Sequence, residues 1–373
     1  MKTEIGIFIL NYNGLHWLKR HLKTLIEYSQ NTEIIIIDNK SSDGSIQYIQ
    51  RNFPFIQIHI HKNNLGFSKG YNKILLEETQ FKYFILINND LEVTKNWISP
   101  LFNLIQNKNI GIIQPKIKNL KTIKKTRSTT KRESTLPKYE KSNLFDYAGG
   151  AGGFIDMFGI PFCRGRIFDH IERDLGQYND NRSVFWASGC CFMIKSELFK
   201  KLNGFDEDLF MHQEEIDLCW RAQALNQTTY FCSTSIVFHA NGGTLGTNKP
   251  IKKFYNHRNN LLILTKNTPF PMIIFLILLR LIIDYLFIAQ SLFKGIYNIS
   301  QIYNNKYRTT EIIKHRFKTS YYIIKAHISY FILLPKFIRK RKVIKETKHI
   351  YKGSIIVDYI FQQKKTFSQL KNL

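Results

Sequence analysis

The stretch FILINNDLEV (84–93) ends an apolar run in two amides and a carboxylate, Asn88, Asn89 and Asp90. Such a run is either a turn or a set of oxygen ligands for a hard divalent cation at the end of a buried strand. Asp38 and Asn39 close a second apolar run, EIIIID (33–38), and Asn11-Tyr12-Asn13 follow a third, EIGIFIL (4–10). HQEEIDLCWRA (212–222) places Glu214, Glu215 and Asp217 where a helix would begin, a position at which the macrodipole alone stabilises acids. Each cluster has a plain structural explanation. Chemistry is required only if one fold gathers them.

The intervening sequence points to such a fold. EIGIFIL, EIIIID, FIQIHI (55–60), YFILI (83–87) and IGIIQ (110–114) are short β-branched runs without polar alternation, as in strands buried on both faces. Helical segments are expected at 14–28, 43–52, 67–79 and 96–107, with Asp43-Gly44 opening the second. The β-α-β-α order implies a parallel, doubly wound sheet, and ligands of such sheets bind beyond the carboxyl ends of the strands. All three strand-end clusters lie there. SVFWASGCCFMI (183–194) carries strand signals broken at Ser188-Gly189, and a helix is expected from Ser196 to Leu202. The Gly-rich segment 147–168 reads as a shaped loop. In 214–225, Ile216, Cys219 and Trp220 share a face, and Asp217 and Arg221 pair at i, i+4.

The charge is unevenly placed. The formal net charge of +26 is concentrated at 116–141, with ten Lys/Arg against two Glu, and at 294–373, with eighteen against three acids. The first is expected to be a flexible basic insertion within 116–145 and the second a basic tail, a composition that favours anionic lipid or nucleic acid. MIIFLILLRLIIDYLFIA (272–289) is 18 residues, at the lower limit for spanning a bilayer, and holds Arg280 and Asp284 four apart. YYIIKAHISYFILLP (321–335) is followed by KFIRKRKVIKETK, an apolar face with a cationic flank, as in helices that lie in a membrane interface. The five cysteines show no CxxC spacing and are expected to be reduced and mostly buried in a cytosolic compartment. The start, MKTEIGIFILNYNG, does not read as a signal peptide.

The stretches ILNYNG (9–14), IIIIDNKSSDGS (34–45), NNLGFSKGYN (63–72), LINNDLEV (86–93), FWASGCCFMIKSELFKKLNGFDEDLF (185–210), HQEEIDLCWRA (212–222) and VFHANGGT (237–244) occur in one order over roughly 1–265. Together they resemble the inverting, GT-A-type glycosyltransferases of family 2, above all the rhamnosyltransferase-like bacterial branch. The resemblance implies an α/β/α sandwich on a mostly parallel, Rossmann-like sheet, with a nucleotide-sugar-binding half (1–115) and an acceptor and catalytic half (146–267). A C-terminal helical, membrane-associating region (268–373) would follow.

It also implies a division of roles. Asp38 would accept the imide N–H of uracil or thymine, with Tyr12 packing on the base and Gly66, Asn72, Asn88 and Asn89 on the donor side. Asp90 and His239 would hold Mg²⁺ or Mn²⁺ against the donor diphosphate. Asn88 stands where the family's metal motif has its first Asp, which lowers the charge of the site. Glu215 would be the general base, in place of the family's usual Asp, with Glu214, Asp217, Trp186, Ser188 and Gly189 on the acceptor side and Asp146 helping selection. The implied reaction moves a sugar such as rhamnose from a dTDP- or UDP-sugar to a lipid-linked or polysaccharide acceptor. It would occur at the cytoplasmic face of the bacterial inner membrane, with the protein peripheral or held by one span.

Two other readings remain at this point. A non-catalytic protein on a degenerate fold of this type would use its basic segments on membrane or nucleic acid. The acidic clusters lie in the near-neutral part of the chain, and nucleic acid is not the expected partner. A nucleotidyltransferase would want a Gly-rich basic loop after the first strand, and NYNGLHW is not one.

Overall fold

The computed structural model describes residues 3–123, 138–240, 250–301, 306–341, 344 and 347–370. Strand β1 (Ile5–Asn11) is followed by α1 (Leu15–Tyr28), β2 (Glu33–Asp38), α2 (Ser45–Asn52), β3 (Gln57–Ile60), α3 (Gly66–Leu75) and β4 (Tyr83–Asn88). β4, β1, β2 and β3 are neighbours in that order, all parallel. Successive residues of a strand face opposite sides, and both sides are covered. Ile7, Ile9, Ile36, Ile85 and Ile87 pack with Leu18, Leu22 and Leu25 of α1. Phe8, Ile35, Ile37, Phe84 and Leu86 pack with Tyr71 and Leu75 of α3. Burial on both faces is why these strands read as unbroken apolar runs.

The next elements are β5 (Leu91–Val93), α4 (Ile98–Ile105), β6 (Ile110–Ile123) and β7 (Lys138–Phe145). A small Gly-rich region follows, with β8 (Gly153–Asp156), β9 (Pro161–Cys163), β10 (Arg166–Ile167) and β11 (His170–Ile171). The chain re-enters the main sheet with β12 (Arg182–Val184) and β13 (Cys191–Lys195), then forms α5 (Ser196–Lys201), α6 (Glu214–Gln223) and β14 (Thr228–His239). The main sheet runs β12-β14-β6-β13-β4-β1-β2-β3, with β5 on β14 and β7 on β6. β13 is antiparallel to both β4 and β6, so the sheet is mixed beyond β4.

Three expectations about the connections need correction. Residues 116–123 and 138–145 are not a flexible insertion: they are the antiparallel strands β6 and β7. The buried Lys116 ammonium sits 3.2 Å from Asp174, and Lys118 is 3.5 Å from the same carboxylate, so charges that read as free are paired. Residues 124–137 lie outside the described part. The 147–168 segment is a sheet, β11-β10-β9-β8-β15, in which β15 (Ile350–Tyr351) comes from near the C-terminus.

The C-terminal region is helical, as expected, and returns to the body. Helix α7 (Ile251–Asn267), which the sequence reading did not anticipate, precedes α8 (Met272–Gln301) and α9 (Lys306–Arg339). Asp284 of α8 lies 3.4 Å from Arg280, and it also meets His257 of α7 at 2.8 Å and His327 of α9 at 3.0 Å. One carboxylate therefore ties three helices. α8 contains Met272–Phe293, long and apolar enough to cross a membrane. Beyond α9 the chain is not a loose tail: β15 pairs with β8, α10 (Ile355–Ile360) follows, and Phe367 packs on Phe154, Phe162 and Tyr178.

That packing makes the C-terminal segment part of the folded body. Phe367→Ala is expected to destabilise the protein by about 3–5 kcal/mol, measured by urea unfolding. An unchanged midpoint would show that the segment adds nothing to the fold.

Candidate active site

The metal-binding side is built by strand pairing. β4 ends at Asn88, whose amide donates to the Cys190 carbonyl at 2.9 Å. The chain turns through Asn89 and Asp90 into β5, which pairs with the end of β14 so that Leu91 lies opposite His239. His239 Nε2 is thereby 3.2 Å from Asp90 Oδ1. The distance is that of an ion pair but the geometry is not that of a hydrogen bond, and this buried carboxylate oxygen has no hydrogen-bond partner. His239 Nδ1 faces Asp146 Oδ1 at 3.1 Å, and Asp146 Oδ2 accepts from the Ala148 amide at 2.8 Å. Burial would lower the His239 pKa, but Asp90 and Asp146 outweigh it and hold it well above the usual imidazole value. Two carboxylates thus favour positive charge at this point, and a cation bound there would leave His239 neutral, as ligation requires. An unpaired carboxylate oxygen beside an imidazole suits a divalent cation whose other ligands are water and phosphate oxygens. Cys190 lies in the same cluster, but sulfur is a soft ligand, and burial, which raises its thiol pKa, also disfavours the thiolate.

The residues expected on the donor side divide. Tyr12 is partly exposed on the loop after β1, and Asn89 donates to Asn11 Oδ1 at 2.8 Å. The side chain of Asn88 is half-buried. Asp38 closes β2, and both its carboxylate oxygens are engaged within the fold. It is fully buried, Oδ1 accepts from Asn11 at 2.9 Å and from the Ser41 hydroxyl at 2.6 Å, and Oδ2 accepts from the Ser41 amide at 2.7 Å. It fixes the turn after β2. Gly66, at φ +74°, packs on Phe210, where a Cβ would lie 2.5 Å from the ring. The Phe67 and Ser68 amides at the start of α3 donate to the Phe210 carbonyl, which leaves no open anion site there. Asn72 is also a clamp, donating to the Phe205 carbonyl at 2.8 Å and accepting from its amide at 2.9 Å.

The acidic helix start is held under backbone strain. Phe210, His212 and Gln213 have φ of 63°, 67° and 69°, a region that non-glycine residues rarely occupy. Helix α7 supplies the restraint. Asn259 Nδ2 contacts the carbonyls of Leu209, Met211 and His212 at 3.0, 2.9 and 2.7 Å, Arg258 Nη2 donates to the Leu209 carbonyl at 3.0 Å, and Gln213 donates to the Asn256 carbonyl at 3.0 Å. The sequence reading missed these residues. Their signal is the polar run HRNN (257–260) set directly before the apolar run LLIL (261–264).

The three acids of α6 have different fates. Asp217 is enclosed by two cations and an amide. It is buried, its oxygens accept from Arg221 at 2.7 Å, Lys266 at 2.9 Å and Asn267 at 3.0 Å, and although burial would raise its pKa these partners hold it well below the usual range. Glu214 is buried with Oε2 unpartnered, and burial together with the Glu215 charge raises its pKa well above normal. Glu215 is only half-buried, and burial raises its pKa to about 7.

The acceptor-side residues also divide. Trp186 is buried, donates to the Phe154 carbonyl at 2.9 Å and fills the space above Gly153, so it is part of the core. Ser188 is buried, its amide donating to Gln114 at 2.8 Å and its hydroxyl 3.2 Å from Cys190 Sγ. A Cβ on Gly189 would sit 3.5 Å from the Glu215 carboxyl carbon. The short turn 188–190 therefore has Glu215 against it at Gly189 and the His239–Asp146 pair beside it at Cys190.

Comparison with known proteins agrees with this architecture. Residues 6–202, over half of the chain, match the family described as Glycosyl transferase family 2. The low-salt glycan biosynthesis hexosyltransferase Agl10 of Haloferax volcanii is 27% identical over 64% of this chain and 68% of its own. The N-acetylglucosaminyl-diphospho-decaprenol L-rhamnosyltransferase of Mycobacterium tuberculosis is 20% identical over 71% of this chain and 85% of its own. Rhamnosyltransferase WbbL of Escherichia coli is 26% identical over 58% and 76%. Among solved structures, GalNAc-T7 with UDP, GalNAc and Mn²⁺ superposes with a TM-score of 0.54 at 15% identity, covering 88% of this chain and 57% of that one. At that identity the likeness is one of fold, the GT-A fold. A match over more than half its length, on a sheet of this topology, makes the chain a member of glycosyl transferase family 2.

Proposed function

We propose that this glycosyltransferase moves a hexosyl or deoxyhexosyl group, with inversion, from a pyrimidine nucleoside-diphosphate sugar to a lipid-linked acceptor in cell-surface glycan synthesis. The observation that carries the reading is the placement of Glu215. It is a half-buried carboxylate at the start of α6 with a pKa raised to about 7, against the same short turn as the Asp90–His239 pair. A base with a pKa near neutrality combines ionisation at working pH with real proton affinity. Glu215 takes the proton of the acceptor hydroxyl as its oxygen attacks the anomeric carbon from the side opposite the departing diphosphate. A single displacement of this kind inverts the anomeric configuration. Burial and the neighbouring Glu215 charge both raise the Glu214 pKa, which disfavours a second charge beside the base. Asp90 and His239 would hold Mg²⁺ or Mn²⁺, and Asp146 orients the His239 ring. When bound, the cation supplies positive charge to the leaving diphosphate. The donor class rests on the family and on the nucleotide named with the related solved fold. The acceptor class rests on the Mycobacterium relative, whose name states a diphospho-decaprenol substrate.

The C-terminal hairpin is proposed to rest on an anionic membrane. Ile274, Phe275, Leu278, Ile282 and Leu286 of α8 and Ile328, Phe331 and Ile332 of α9 are exposed apolar side chains. Basic residues from Lys336 to Arg341 adjoin them. Apolar area and cationic charge together are the two signals that stable interfacial anchoring requires. The membrane would then bring the lipid-linked acceptor to the enzyme.

Glu215→Gln is expected to lower kcat by about 10²–10⁴-fold while UDP affinity in Mn²⁺ stays as in the wild type, because an amide keeps the shape but takes no proton. The wild-type rate should fall as pH drops through about 7, where Glu215 becomes protonated, and level off above it. Native turnover in the variant, or retained anomeric configuration by NMR, would remove Glu215 from this role.

Asp90→Ala should fold normally and lose the Mn²⁺ dependence of UDP binding in calorimetric titration. The same metal response as the wild type would place the cation elsewhere.

Phe275→Glu combined with Leu278→Glu should release the protein from vesicles containing anionic lipid. A double variant that still sediments with them contradicts the proposed docking face.

A further inference from the structure

Arg166, in the small Gly-rich sheet, has no role in the reaction derived above, and its environment is unusual. Its guanidinium lies 3.6 Å over the ring centre of Tyr147. Nε and Nη1 are shielded from water, yet neither has a hydrogen-bond partner. Asp146 is within electrostatic reach but is already used, with Oδ1 on His239 and Oδ2 on the Ala148 amide. Tyr147, by contrast, is 51% exposed. The ring therefore covers a cation that no carboxylate satisfies, and Asp146, which precedes Tyr147 in the chain, is the residue that meets His239. A planar guanidinium with free N–H groups matches two oxygens of a phosphate, and a ring that is open to solvent on one side can swing aside to admit them.

We propose that Arg166 is a phosphate-binding residue of the active site, with Tyr147 as its displaceable cover. The inference rests on the glycosyltransferase reading. Its ligand chemistry is a diphosphate, and two sources exist in the proposed reaction: the nucleoside diphosphate of the donor and the diphosphate headgroup of the lipid-linked acceptor.

The test is calorimetric titration of the full chain with two probes, UDP in Mn²⁺ and geranyl diphosphate, for the wild type, Arg166→Gln, Arg166→Lys and Tyr147→Ala. Loss of the guanidinium should weaken one probe by about tenfold to a hundredfold. If UDP is weakened, Arg166 serves the donor; if only geranyl diphosphate is weakened, it serves the acceptor. Tyr147→Ala uncovers the cation and should bind the same probe as well as or better than the wild type, an effect that a merely structural Arg–Tyr pair would not produce. Should Arg166→Gln fail to fold, Arg166→Lys keeps the charge without the planar fork and should show an intermediate loss. Affinities of all folded Arg166 variants equal to wild type for both probes overturn the inference and leave the glycosyltransferase reading standing. A wild type that binds neither probe overturns both.

Discussion

A buried carboxylate on α6, Asp217, fixes the geometry on which the rest of the candidate site depends. It is fully buried and accepts from Arg221 on its own helix and from Lys266 and Asn267 on α7. Lys266 also contacts Asp206 at 2.7 Å, and Asp206 and Asp208 are gripped by Lys340 near the end of α9. One connected set of charges thus joins α6, α7, α9 and the turn 206–209. Burying any of these ions alone would be costly, and removing one partner would leave another uncompensated, at about 3–5 kcal/mol. The arrangement is all or none, which is what holding a strained loop requires.

That loop runs from Phe210 to Gln213 and meets both sides of the site. The Phe210 carbonyl caps the start of α3, and three residues later the chain enters α6 at Glu214 and Glu215. Positive φ at three non-glycine positions is unfavourable by itself, and the Asn259 and Arg258 side chains of α7 hold the carbonyls that would otherwise drive the loop to relax. Helix α7 therefore acts through the loop on where Glu215 points. It also begins the C-terminal helical region through the His257–Asp284–His327 contact. The exposed apolar face of α8 and the acidic start of α6 are consequently linked through one rigid helix.

Electrostatics divides the acids by neighbourhood. Asp217, Glu214 and Glu215 lie within one turn of one helix, yet Asp217 is held strongly ionised by cations while burial raises the pKa of the two glutamates. On the other side of the 188–190 turn, Asp90 and Asp146 outweigh burial and raise the pKa of His239. A proton acceptor and a site prepared for positive charge thus stand on either side of a short backbone segment.

The sequence by itself determined the sheet, the helices between its first strands and the family. Those features rest on local apolar runs, turn residues and motif order, all of which are readable along the chain. It also marked Asp90, His239 and Glu215 at strand ends and a helix start, and the fold pairs the first two. Only the tertiary structure decided which polar residues face the cleft and which face inward. Asp38, Asn72, Asp217 and Trp186 have the residue types of a binding site, but Ser41, Phe205, Lys266 and the Phe154 carbonyl consume their polar atoms. Those partners lie as few as three and as many as 133 residues away, so spacing along the chain carries no sign of most of them. The return of 350–370 onto the small sheet was hidden for a related reason. Strand β15 is two residues long, and a strand that short has too few residues to show a period; it exists because β8 offers it an edge.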